Sequence, residues 1–143
     1  MTEVLFYTQV HDKLQTACAL TSKALARGMR VMLWTRDAGM TDKLSRMLWS
    51  IPSTGFVPHC GVGHRLAPIT PVIVDHLSEP MIHDKVLVNL CDCTPPFFSR
   101  FQRLIEIVGG EAHDTAAARE RFRFYRDRGY AITTHDMEAA LER

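Results

Sequence analysis

No run of about 18 apolar residues occurs in this sequence, so no membrane-spanning helix is expected. The chain opens directly into an apolar, strand-like stretch. No basic region precedes a cleavable apolar core, so secretory export is not expected either. An excess of one charge is also missing: 17 basic side chains stand against 16 acidic ones, a net of +1. Such a balance gives neither the global positive field of a non-specific nucleic-acid binder nor the acidic excess of a disordered segment. Cysteines are few and irregularly placed, at Cys18, Cys60, Cys91 and Cys93. With 143 residues the chain can bury a core without staples, and four scattered cysteines do not make a disulfide scaffold. Reduced thiols in a cytoplasmic setting are the expectation.

What is present is an alternation of strand-like and helix-like segments. Residues 3–8 read as an apolar strand and 13–27 as a helix stopped by Gly28, while 29–35 form a second apolar strand. Together they make a right-handed βαβ unit. A helix over 41–50 follows, with Thr41 as its N-cap. Strands are predicted at 71–75 and 85–90. Pro95 and Pro96 are placed to open a helix over 94–107 that Gly109 and Gly110 end. A last helix is capped by Asp114 or Thr115 and runs to Arg128. The tail from Tyr130 carries no assignment, and residues 136–143 either add a helical turn or fray. The pattern predicts one α/β domain over 1–143, a mostly parallel sheet with helices on both faces.

The motifs that such a sheet often carries are absent. The first β-to-α turn, Tyr7-Thr8-Gln9-Val10-His11-Asp12, has no glycine, so the backbone cannot approach a pyrophosphate at the helix start. Gly61-Val62-Gly63 lies ahead of a strand, the wrong context for a dinucleotide fingerprint, and neither a phosphate-binding P-loop nor a Gly-x-Ser-x-Gly elbow occurs. Cys91-Asp92-Cys93, on an extended chain, would point both thiols one way, with His59, Cys60 and His64 as further ligands. A Cys-x-Cys pair lacks the Cys-x2–4-Cys spacing usual for zinc, and the favoured reading is small buried thiols at a strand end. No catalytic residue, metal or cofactor is expected.

Two stretches do look built for contact. The first is Leu48-Trp49-Ser50-Ile51-Pro52-Ser53-Thr54-Gly55-Phe56-Val57-Pro58-His59, where a helix runs into a proline-bounded turn. On the helical wheel Leu44, Met47, Leu48 and Ile51 share one stripe, and Trp49 falls about 140° from Leu44, beside Asp42, Ser45 and Arg46. Trp49 is therefore expected on the polar face, an aromatic anchor for a partner together with Phe56. The second is Arg119-Glu120-Arg121-Phe122-Arg123-Phe124-Tyr125-Arg126-Asp127-Arg128, five arginines against two acids. Ala118, Phe122 and Tyr125 make its buried stripe, and Arg119, Arg123 and Arg126 line up beside it. That edge suits an acidic peptide with a hydrophobic end, or a phosphate backbone.

In these residues the chain resembles the chi subunits of bacterial DNA polymerase III holoenzyme, accessory proteins of the clamp-loader complex. The likeness runs nearly end to end. It takes in Phe6-Tyr7, the Leu48-Trp49-x-x-Pro52-x-x-x-Phe56-Val57-Pro58-His59 turn, Pro71-Val72, the 86–90 strand and Ala118-Arg119-Glu120-Arg121-Phe122-Arg123-x-Tyr125-Arg126-x-x-Gly129. The resemblance implies a Rossmann-like three-layer sandwich that is not itself an enzyme. It also implies two partners: the psi subunit, and the acidic, phenylalanine-ended C-terminal tail of single-stranded DNA-binding protein, with DNA reached only indirectly. Trp49 and Phe56 map to the psi side. Arg119, Phe122 and Arg123, with Val108 as pocket wall and Arg126 in reserve, map to the tail site. Thr115 stands where a basic residue is common, and Phe122 replaces a common tyrosine. Cys91-x-Cys93 and the 60–67 loop depart from the pattern. The alternative reading is a nucleic-acid-binding protein that uses the arginine helix directly on phosphates.

Overall fold

A strand buried between two helical layers has no need of a polar face, and several segments of this chain are apolar on both sides. In the computed structural model, which describes residues 1–49, 59–61, 64, 70–76 and 84–137, the elements in chain order are β1 (Glu3–Val10), α1 (Lys13–Ala26), β2 (Val31–Trp34), α2 (Ala38–Trp49), β3 (His59–Cys60), β4 (Val72–Asp75), β5 (Val86–Asn89), β6 (Arg103–Gly109), α3 (Ala112–Asp127) and β7 (Ile132–Asp136). The strands form one all-parallel sheet in the order β3-β4-β2-β5-β6-β1-β7. Every residue of β2, β4 and β5 is buried. Met32 and Trp34 face the α3 side with Phe6, Leu104 and Tyr125, whereas Val31 and Leu33 face Ala17, Leu44 and Leu48 of α1 and α2. The α/β sandwich with a parallel sheet and helices on both faces is the observed fold.

Local signals set the helix ends. The Asp12 carboxylate accepts from the Gln15 amide at 3.0 Å to start α1, and Gly28, at φ +75°, ends it in the left-handed region. α2 begins one turn earlier than the sequence predicts. Asp37, not Thr41, is the cap: its carboxylate accepts from the Met40 amide at 2.8 Å. That bond, then Arg36, holds the Asp37 carboxyl below its usual range.

The helix predicted over 94–107 does not form. Residues 94–102 hold only a short 3-10 turn, Phe98–Arg100, and the chain then becomes β6, between β5 and β1 in the sheet. Leu104, Ile105, Ile107 and Val108 are all buried, alternately toward α3 and toward α1. Burying each is worth about 1.5–3 kcal/mol, and a strand between two helical layers buries all four together with Glu106. The unassigned tail supplies β7, a mostly exposed edge strand beside β1 that reaches Asp136.

The exception on β6 is Glu106, fully buried and pointing at α3. Its carboxylate accepts from Tyr125 Oη at 2.5 Å, Asn89 Nδ2 at 2.9 Å and Arg121 Nε at 3.0 Å. Arg121 is itself 2% exposed and donates Nη1 to the Asp92 carbonyl at 2.9 Å, while its Nη2 has no acceptor among the described residues. Burial pushes the Glu106 carboxyl above its ordinary value, and Arg121 with the donated hydrogen bonds works against that push. The same burial, with Glu106 alongside, pushes the Tyr125 phenol up. One buried ion pair thus ties α3 to β5 and β6. Arg121→Ala strands the carboxylate and should lower unfolding stability in urea by about 3–5 kcal/mol. The double variant Glu106→Leu/Arg121→Met should cost much less than the two single changes added together.

Candidate docking surfaces

α3 is seated by its first turn as well as by Arg121. No side chain caps it at Glu111; instead the Asp114 carboxylate accepts from the Gly109 amide at 2.6 Å and pairs with Lys13 at 3.2 Å. Asp114 therefore ties α3 to the end of β6 and to α1, and α3 starts ahead of both caps predicted for it. Seated this way, Ala118, Arg121 and Tyr125 face the sheet, and Phe122 lies half-buried at the border.

Beside that border a cleft of about 260 Å³ opens between α3 and the β6-β1-β7 edge. Phe6, Val108, Ala118 and Phe122 make its apolar floor, with the Phe6 and Phe122 rings 5.5 Å apart. Gln9 edges it, held at φ +55° where the β1–β6 register shifts between Tyr7 and Val10. Arg119 and Thr115 stand on the α3 rim. Arg119 is exposed and makes no ion pair with any described residue. The other arginines of this helix are engaged. Arg123 donates to Glu120 at 2.8 Å, Arg126 pairs with Asp127 at 3.1 Å, and Arg128 lies 3.6 Å over the Phe124 ring. The structure thus brings Val108, Arg119 and Phe122 together and leaves Arg123 and Arg126 outside the cleft lining. Arg121, read from sequence as part of the basic run, is a core residue.

At the other edge of the sheet, and over its other face, α2 ends on Trp49. Leu44 and Leu48 are buried beneath it, while Trp49 is 61% exposed. Its ring meets His59 edge-on at 6.0 Å, and His59 Nε2 lies 2.7 Å from Ser45 Oγ. A shallow hollow of about 370 Å³ beside the ring is floored by Cys60, Gly61 and Val74. Phe56, the second aromatic of the turn, lies outside the described residues.

The strand ends carry a mixed set of charges. Lys13 and Arg36 share a pocket of about 270 Å³ with Asp92, Glu111 and Asp114, and such carboxylates repel a phosphate. The two thiols expected to point together do not. Residues 91–93 bend, so Cys91 is buried and Cys93 exposed. Among the described residues no three His, Cys, Asp or Glu side chains converge on a metal site. Burial pushes Cys91 up to about 12 and Cys18 to about 11.

An all-parallel sheet sandwiched by helices is a Rossmann-like α/β scaffold. The chain belongs to the DNA polymerase III chi subunit family: the family model described as DNA polymerase III chi subunit, HolC, matches residues 1–133. It is 36% identical over 141 residues to DNA polymerase III subunit chi of Pseudomonas aeruginosa, covering 96% of this chain and 98% of that one. It is 26% identical to DNA polymerase III subunit chi of Escherichia coli, over 84% of this chain and 82% of that one. For the Haemophilus influenzae subunit chi the identity is 24%, with 86% of each chain covered. Family membership makes the chain an accessory subunit for DNA replication. No helix among the described residues is long and apolar enough to cross a membrane. Labelling of the native protein with a neutral maleimide at mildly alkaline pH should modify Cys93 first. Cys18 and Cys91 should react only on unfolding, because burial disfavours their thiolates.

Proposed function

We propose that this chain is a non-catalytic bridge in the cytoplasm, joining the psi subunit of the clamp loader to the C-terminal tail of single-stranded DNA-binding protein. The observation that carries the reading is the cleft at Phe6, Val108 and Phe122, with Arg119, which no described residue pairs, on its rim. The tail's last phenyl ring takes the apolar floor, and its terminal carboxylate takes the Arg119 guanidinium. Arg123 and Arg126, one step out along the helix, meet the acidic residues that precede it, exchanging their own carboxylates for the tail's. Trp49, with Phe56, serves the psi side, at the opposite edge and face of the sheet. Two partners can then be held at once without touching each other.

In fluorescence anisotropy with the tail peptide, Arg119→Ala should weaken binding by roughly ten- to a hundredfold, equivalent to about 1.5–3 kcal/mol. Arg123→Ala should cost less, because its guanidinium leaves one carboxylate to meet another. Unchanged affinity in both variants would sink the tail assignment. In a pull-down, Trp49→Ala should lose the psi subunit and keep the tail peptide. The alternative, direct contact of the arginine helix with phosphates, has less support, since Arg121 is buried and Arg123 and Arg126 are already paired. Tight binding of single-stranded DNA at physiological salt, with no partner present, would favour it.

A further inference from the structure

Among the described residues, α1 and Met137 leave part of the α1 side of the sheet uncovered. On β1, Phe6 faces α3, whereas Leu5 and Tyr7 face the α1 side and are only half-buried. With Leu20, Ala24 and Ile105 they floor a groove of about 250 Å³. Its cations are Lys23 in the last turn of α1, Arg27 at the helix end and Arg103 on β6; no carboxylate lines it. Arg103 is paired with Glu3 at 3.4 Å, but Lys23 and Arg27 make no ion pair with any described residue. The negative end of α1 favours two cations there, and among the described residues no acid meets either of them.

An apolar floor under three cations is complementary to an acidic segment with a bulky apolar side chain. A second copy of this chain is a poor occupant, because a two-fold contact on the groove would set Lys23 and Arg27 against themselves. The groove is also below the roughly 300–1,000 Å³ of a small-molecule site. We propose that it docks an acidic segment of a partner protein, through a leucine or aromatic side chain, on the face of β1 opposite the α3 cleft. Its position makes it independent of Arg119 and of Trp49.

The test uses a fluorescein-labelled peptide of alternating aspartate and leucine with an amidated carboxyl end, which removes the terminal carboxylate that Arg119 would hold. Anisotropy at low salt should show binding that Lys23→Glu/Arg27→Glu weakens by at least about tenfold and that Arg119→Ala leaves unchanged. Both replaced residues are exposed, so the double variant should fold, its melting temperature lowered by a few degrees because two acids oppose the negative end of α1. A serine-for-leucine peptide should bind at least about tenfold more weakly, since the floor is apolar. Three results would overturn the proposal: affinity indifferent to the charge reversal, equal binding of the serine peptide, or loss of binding in Arg119→Ala instead. Self-association in sedimentation that the reversal abolishes would give the groove to a second copy and overturn it as well.

Discussion

The surface of this domain depends on an ion pair at its centre. Glu106 sits on an interior strand, fully buried, and its hydrogen bonds reach Arg121 and Tyr125 on α3 and Asn89 on β5. Apolar packing alone fixes a helix on a sheet loosely in rotation, because neighbouring stripes of similar size compete. A buried carboxylate that takes hydrogen bonds from both Arg121 and Tyr125 on one helix face permits a single setting of that helix. That setting turns Phe122 to the border and Arg119 to the rim. It also keeps a third potential surface arginine, Arg121, out of solvent.

The two docking surfaces follow from the same sheet order. β3 and β4 at one edge lie under α2, whose last residue is Trp49, while β6, β1 and β7 at the other edge lie beside α3. Alternation along β1 sends Phe6 to the cleft and Leu5 and Tyr7 to the opposite face. For the proposed bridging role, the two surfaces lie far enough apart that partners there would neither compete nor need a conformational change to be held together. The strand-end crevice, where open α/β sheets commonly hold nucleotides, carries acids among its cations instead.

Much of the fold was legible where local chemistry and the sheet agree. Gly28 ends α1 as its place in the sequence predicts, and the apolar runs at β2, β4 and β5 could be little else. β6 was misread as a helix because an interior strand has no alternation to betray it, and the prolines upstream resemble a helix start. β7 is polar and short, and only its pairing with β1 makes it a strand. At the docking surfaces the wheel placed Trp49 correctly off the core stripe. The wheel also set Phe122 and Arg119 side by side on α3, whereas Val108 came from family likeness, since no periodicity joins β6 to α3. Arg121 was illegible for a physical reason: a guanidinium enters a core only when a carboxylate awaits it, and Glu106 lies fifteen residues away.

The central claim is that the α3 cleft, as positioned by Glu106, receives the end of an acidic peptide. Titrating the nitrogen-15-labelled protein with the tail peptide of single-stranded DNA-binding protein, and mapping which backbone amides shift, tests it most directly. The account predicts shifts centred on Phe6, Val108, Ala118, Arg119 and Phe122, with Trp49 and His59 unmoved. Shifts confined to the Trp49 corner, or none at saturating peptide, would contradict it.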